Sequence, residues 1–291
     1  MSHVSDTETE SPSSPPNGKR SLAPVFVLGA VLVGIVTAAA VISFVWTPYD
    51  PETVDAPSRL LGPSADHWLG TDKFGRDVFS QLLVGARTTL FVGVIAVGVA
   101  TLIGTPLGML AAMTRWKFLS ELVMRSNDLL LAFPALLLAI MFGAVFGAST
   151  LTAMVAIGIA TVPSFARLAR SGTLQVMSTE YILAARVAGR HPLAIAWRHV
   201  LPNISGLITI QASVSFAIAV LAEAALSYLG FGTAPPTPSW GRMLQEAQEQ
   251  IFTQPLLVLW PALSIALAVL GLNLLGDGLR DRFDPRLEDR R

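Results

Sequence analysis

The sequence predicts an all-α integral membrane protein with six transmembrane helices and both termini cytoplasmic. Three observations carry this. Of 291 residues, 52% are hydrophobic and only 14% charged, with a mean hydropathy of +0.58, whereas soluble domains carry about 25% charged residues. Five stretches (21–49, 88–114, 129–166, 199–222 and 250–276) contain no Asp, Glu, Lys or Arg, and each reaches the roughly 20 residues a spanning helix needs. Basic residues crowd into alternate intervals between these stretches. With the N-terminus inside, the cytoplasmic segments 1–21, 115–128, 164–203 and 277–291 hold 15 Lys and Arg, and the outer segments 47–87, 148–150 and 227–254 hold 5. That division fits the positive-inside rule.

The elements follow in chain order. Met1 to Asn17 is rich in Ser, Pro, Thr and Glu and has no apolar periodicity, which predicts a disordered head within the segment 1–21. Lys19 and Arg20 precede an apolar run over 22–46. It is too long for the apolar core of a signal peptide and lacks an A-x-A cleavage site, so it reads as an uncleaved first helix. An extracytoplasmic linker, 47–87, carries Asp72, Arg76, Asp77 and Arg87, placed to pair across a loop as structural ties. A core over 88–276 then contributes five more helices. Gly93, Gly98, Gly104 and Gly108 in its first helix are small enough to let neighbouring backbones approach closely. The stretch 129–166 is nearly twice the necessary length and breaks at Gly147 to Thr150, giving helices over 129–146 and 151–163. Pro106, Pro134 and Pro163 are expected to kink or end helices. Beyond the fifth helix, Pro235, Pro236 and Pro238 stiffen an outer loop, and 277–291 forms a charged cytoplasmic tail.

The interval 164–203 is unlike the other loops. It holds Arg167, Arg170, Arg186, Arg190 and Arg198 against the single carboxylate of Glu180. A helical piece over 179–188 is expected to stop at Gly189, with Pro192 opening a second piece that runs to Val200. Ala184, Ala185 and Ala188 make a small-residue surface on the first piece. Two short helices at an angle form a knob shaped to enter a groove on another protein.

Several function classes are excluded by what the sequence lacks. There is no G-x-x-x-x-G-K-[ST], H-E-x-x-H or G-x-S-x-G motif, so neither nucleotide hydrolysis nor these hydrolytic chemistries has a seat here. Cysteine is absent and the four histidines are scattered, so no metal or cofactor site is expected. Net charge is zero, and no nucleic-acid partner is implied. An ion-coupled channel or secondary transporter would place coupling carboxylates or unwound helices near mid-membrane, and the spans are nearly free of charge. A structural scaffold accounts for the hydrophobicity but leaves the ordered knob unexplained. Two carboxylates stand as translocation-pathway candidates: Asp128 at the entry to the third helix, and Glu223 near the outer end of the fifth.

The knob carries a family resemblance. Ala184-Ala185, three residues, Gly189, and then Leu201-Pro202 follow the loop signature of ABC importer permease subunits, with Leu183 where the signature has Glu and His199 where it has Ile. Glu180, about one turn earlier on the same helical face, is placed to substitute for that acid. Arg198 to Asn203 resembles the dipeptide/oligopeptide/nickel branch, and so do the runs 67–90, 124–140 and 223–244, which are similar to its C-type subunit. The resemblance covers roughly 22–285. It implies a type I ABC importer permease fold in the bacterial inner membrane, with lipid around it. The implied assembly adds a homologous second permease, two cytoplasmic ATPases that bind ATP and Mg, and an extracytoplasmic substrate-binding protein. Oligopeptides or dipeptides are the expected substrates, with nickel or another small solute as the alternative. Glu180, Ala184, Ala185, Arg186, Gly189, Arg198, His199, Leu201 and Pro202 are the residues it assigns to ATPase coupling.

Overall fold

The computed structural model describes residues 24–147 and 149–283, and among these no β-strand occurs. The predicted disordered head and the end of the charged tail lie outside the described residues. Ten α-helices follow one another: α1 (Pro24–Ile42), α2 (Val78–Met113), α3 (Lys117–Ala132), α4 (Ala135–Phe146), α5 (Thr150–Met177), α6 (Glu180–Val187), α7 (Pro192–Ile195), α8 (Leu201–Tyr228), α9 (Trp240–Ala247) and α10 (Pro255–Phe283). Among the described residues five helices are long and apolar enough to cross a membrane, and counting the bent pair of α3 and α4 as one span makes six. The protein is therefore a multi-pass membrane protein.

Three helix boundaries differ from the sequence expectation, each for a local reason. First, α2 begins at Val78 rather than at 88 because Asp77 caps it. The Asp77 carboxylate accepts the Ser80 N–H at 2.8 Å and the Ser80 hydroxyl at 2.7 Å, the cap chemistry that satisfies an orphan first-turn donor. At 36 residues, α2 is about 54 Å long and outreaches the roughly 30 Å hydrocarbon layer.

Second, the expected helix 129–146 is broken. Phe133 is extended (φ −85°, ψ 128°), as a residue before proline prefers, and the axes on either side of Pro134 differ by 88°. The α3 arm reaches back to Lys117, and the α4 arm has only 12 residues.

Third, Pro163 does not end its helix. α5 runs through it to Met177 because α2 packs along both sides of the proline. A Cβ at Gly104 would stand 2.6 Å from the Val162 carbonyl oxygen and 2.7 Å from Phe165 Cβ, and one at Gly108 would stand 2.8 Å from Ala169 Cβ. Arg167 and Arg170 thereby join the helix, and the free part of the loop shrinks to 178–200.

α2 and α5 form the most extensive helix pair, with α1 on α10 next and α8 contacting both groups. α1 and α10 are antiparallel. Gly29 lies against Gly271 and Leu274, and Gly278 lies against Phe26. The N-terminus of α1 and the C-terminus of α10 thus share one end of the bundle with the knob. The linker 43–77, the loop 229–239 and α9 share the other end.

Candidate functional site: the α6–α7 knob

The knob is assembled by ordinary stop and start chemistry. At the end of α6, Gly189 N–H donates to the Arg186 carbonyl at 3.0 Å and Arg190 N–H to the Ala185 carbonyl at 3.1 Å. This paired closure needs a left-handed residue, and Gly189 supplies it with φ +74°. His191 then caps α7: its Nδ1 accepts the Leu193 N–H at 3.3 Å, and Pro192 occupies the first turn. Five residues, Ala196 to Val200, form a π-turn, in which Leu201 N–H reaches the Ala196 carbonyl. The widened turn accommodates the missing N–H of Pro202. Asn203 Nδ2 donates to the nearby His199 carbonyl at 2.6 Å. The helix therefore continues from α7 into α8 without a loop, so the knob is joined directly to a helix of membrane-crossing length.

The knob has a dry side and an exposed side. Ile182, Ile195, Ala196 and Val200 are buried in one cluster with Phe165 and Ala169 of α5 and Ile204 of α8. Ile182 is fully buried and pins α6 to the bundle. Facing outward, Val187 is 89% exposed, Trp197 69% and Leu193 65%. Solvated helices seldom present three large apolar side chains together unless something covers them. Sequence reasoning passed over these three and over Ile182. Their signal was present as apolar residues inside an otherwise basic segment.

Most of the residues expected at the site lie on or beside this surface. Glu180, Ala184, Arg186, Gly189, Arg198 and Pro202 are exposed, while Ala185, His199 and Leu201 are half-buried. His199 lies beside Tyr181, with ring centroids 6.2 Å apart, and Arg186 reaches Met177 Sδ at 3.9 Å. Glu180 occupies the first turn of α6, one turn from Leu183 and Ala184.

The two pathway candidates lie toward opposite ends of the bundle. Asp128 on α3 pairs with Arg167 on α5 at 2.6 Å, with both side chains more than half exposed. Glu223 on α8 is 1% exposed and accepts the Ser227 hydroxyl at 2.6 Å and the Thr233 hydroxyl at 3.3 Å. Ser227 Oγ in turn accepts the Thr233 N–H at 2.9 Å. The carboxylate thereby ties the loop 229–239 to its helix. Trp240 Nε1–H donates to the Leu82 carbonyl at 3.0 Å, and Thr88 donates to the Pro238 carbonyl at 3.2 Å, so α2 holds the same loop from its other side.

The charges of the linker are structural ties, as expected, with partners the sequence did not disclose. Arg76 pairs with Asp72 at 2.6 Å and also with Glu246 of α9, which in turn takes Arg242 at 2.8 Å. Burial opposes the charge on Arg76, but Asp72 and Glu246 outweigh it and hold the guanidinium above its ordinary range. Asp77 also meets His67 Nδ1 at 3.0 Å. Arg87 sits inside α2 and is absent from this network.

Residues 104–289 match the family model described as "Binding-protein-dependent transport system inner membrane component". The chain is 41% identical over 263 residues to the dipeptide transport system permease protein DppC of Alkalihalophilus pseudofirmus, covering 90% of this chain and 86% of that one. It is 41% identical over 266 residues to the glutathione transport system permease protein GsiD of Pectobacterium atrosepticum, covering 91% and 88%. In fold, it resembles a chain of the MetNI methionine ABC transporter in an inward-facing conformation. That match has a TM-score of 0.55 at 20% identity and covers 69% of this chain and 95% of that one.

Proposed function

Because the chain belongs to the family of binding-protein-dependent transport system inner membrane components, we propose that it is the permease subunit of an ATP-driven importer of short peptides. The relatives named for dipeptide and glutathione transport support that substrate class. In this reading the chain sits in the bacterial cytoplasmic membrane and lines the pathway with a second permease. It takes energy from two ATPases that bind ATP and Mg, and it receives substrate from an extracytoplasmic binding protein. The chain itself contributes no hydrolysis. Its part is mechanical: an ATPase grips the exposed face of α6 and α7, and the Ile182 cluster and the π-turn pass the displacement to α5 and α8.

The observation that carries this reading is the exposed apolar set Val187, Leu193 and Trp197 on a knob whose other side is locked into the bundle. Because Val187 is almost fully exposed, Val187→Asp leaves the fold intact while placing a charge in the interface. Retention of the ATPase on the tagged permease is expected to fall roughly tenfold, in the range of a desolvated interface contact, with membrane insertion unchanged. Unchanged retention for both Val187→Asp and Trp197→Ala would remove the knob as the coupling site.

A further inference from the structure

Away from the knob, a groove of about 610 Å³ opens between α1, α2 and the start of α5. Its walls are almost entirely apolar, with Val41 on α1, Phe91 and Val94 on α2, and Leu151 and Met154 on α5. Four of these side chains, Val41, Phe91, Val94 and Leu151, are more than half exposed. One charge stands in it. The Arg87 guanidinium lies 4.7 Å from the centroid of the Phe44 ring, and no described carboxylate pairs with it. Phe44 follows the last turn of α1, two residues before Trp46. Trp46 and Trp68 are half-exposed with rings 6.5 Å apart, and Trp68 packs on Phe79 at 5.0 Å. Tryptophans gathered in this way mark the membrane–water interface. Arg87 is therefore held at headgroup depth, while the groove descends from it between apolar walls toward the middle of the bilayer. Its rim offers the hydroxyl-bearing residues Thr150 and Thr237.

We propose that this groove is a binding site for an anionic phospholipid, with the phosphate at Arg87 and an acyl chain along Phe91, Val94 and Leu151. Charge complementarity selects the occupant. An unpaired guanidinium over an aromatic face retains its capacity to bind an oxyanion, and the apolar trough leading from it, about 10 Å along α2 from Arg87 to Val94, suits an acyl segment rather than a water-borne solute. Nothing in the coupling mechanism uses these residues, so the site stands apart from the proposed transport function.

The test is native mass spectrometry of the full-length chain in detergent with added phosphatidylglycerol or phosphatidylcholine. The wild-type chain is expected to retain phosphatidylglycerol about fivefold better, the difference that one interfacial cation supplies. Arg87→Gln is expected to abolish that preference, and Leu151→Trp, which fills the trough, to reduce retention of both lipids. Equal retention of the two lipids, or a preference that survives Arg87→Gln, would overturn the proposal. To cover the case in which Arg87→Gln disturbs α2, a photo-crosslinker at Phe91 is read in the assembled complex in native membranes. Crosslinks to lipid support the site. Crosslinks to a second permease chain or to a peptide would overturn it by giving the groove a different occupant.

Discussion

Glu223 shows what a single residue can and cannot disclose. Its place near the outer end of a spanning helix marks it as a functional candidate, and Ser227 four residues on is a readable neighbour on the same helical face. Thr233 is not readable, because it arrives only after the chain turns at Gly230 (φ +85°) and Gly232 packs against Ser227. The resulting clamp predicts a graded response. Glu223→Ala leaves two hydroxyls without their acceptor in a buried site and is expected to cost about 1–3 kcal/mol. That cost should appear as a lower Tm and faster proteolysis within 229–239. Glu223→Gln keeps an acceptor oxygen and is expected to fall between Glu223→Ala and wild type. Equal behaviour of the two variants, both like wild type, would show that the clamp does not hold the loop.

At the level of the helices, composition indicated where apolar length accumulates, but neighbours decided how it was divided. Pro134 and Pro163 look equivalent in the sequence. One breaks a helix to 88° and the other lies within a continuous helix, because only Pro163 is flanked by the close α2–α5 contact. The glycines divide in the same way. Gly104 and Gly108 are pressed against α5, whereas a side chain at Gly98 would meet nothing within 4 Å. Spacing alone gives these positions equal standing. Gly104→Val and Gly108→Val are therefore expected to destabilise by about 1–3 kcal/mol each as overpacking. Gly98→Val should be close to neutral in the same thermal-unfolding measurement. A Gly98→Val variant as damaged as the other two would show that these residues matter for helix propensity rather than for close approach.

For the whole molecule, the sequence made legible where apolar length suffices to cross a membrane, since that follows from composition and length. The linker 47–87 and the segment 227–254 that holds α9 were expected on one side, and Arg76 joins them through Glu246. What stayed hidden was the tertiary pairing itself: the Glu246 partner, the Ile182 anchor and the exposed Val187, Leu193 and Trp197 set. Each depends on how distant elements meet. Which end of the bundle is cytoplasmic rests on the Lys and Arg division, and it is read by reporter fusions after residues 60, 120, 180 and 240. The expected pattern is out, in, in, out; an outside signal at 180 would place the knob beyond the reach of any ATPase.

The most direct test of the account is reconstitution into liposomes of this chain with a second permease, the ATPases and the binding protein. ATP-dependent accumulation of a labelled short peptide is expected, with hydrolysis stimulated by loaded binding protein and no hydrolysis by this chain alone. Peptide uptake that persists without the ATPases, driven by an imposed ion gradient, or nucleotide hydrolysis by the isolated chain, would contradict it.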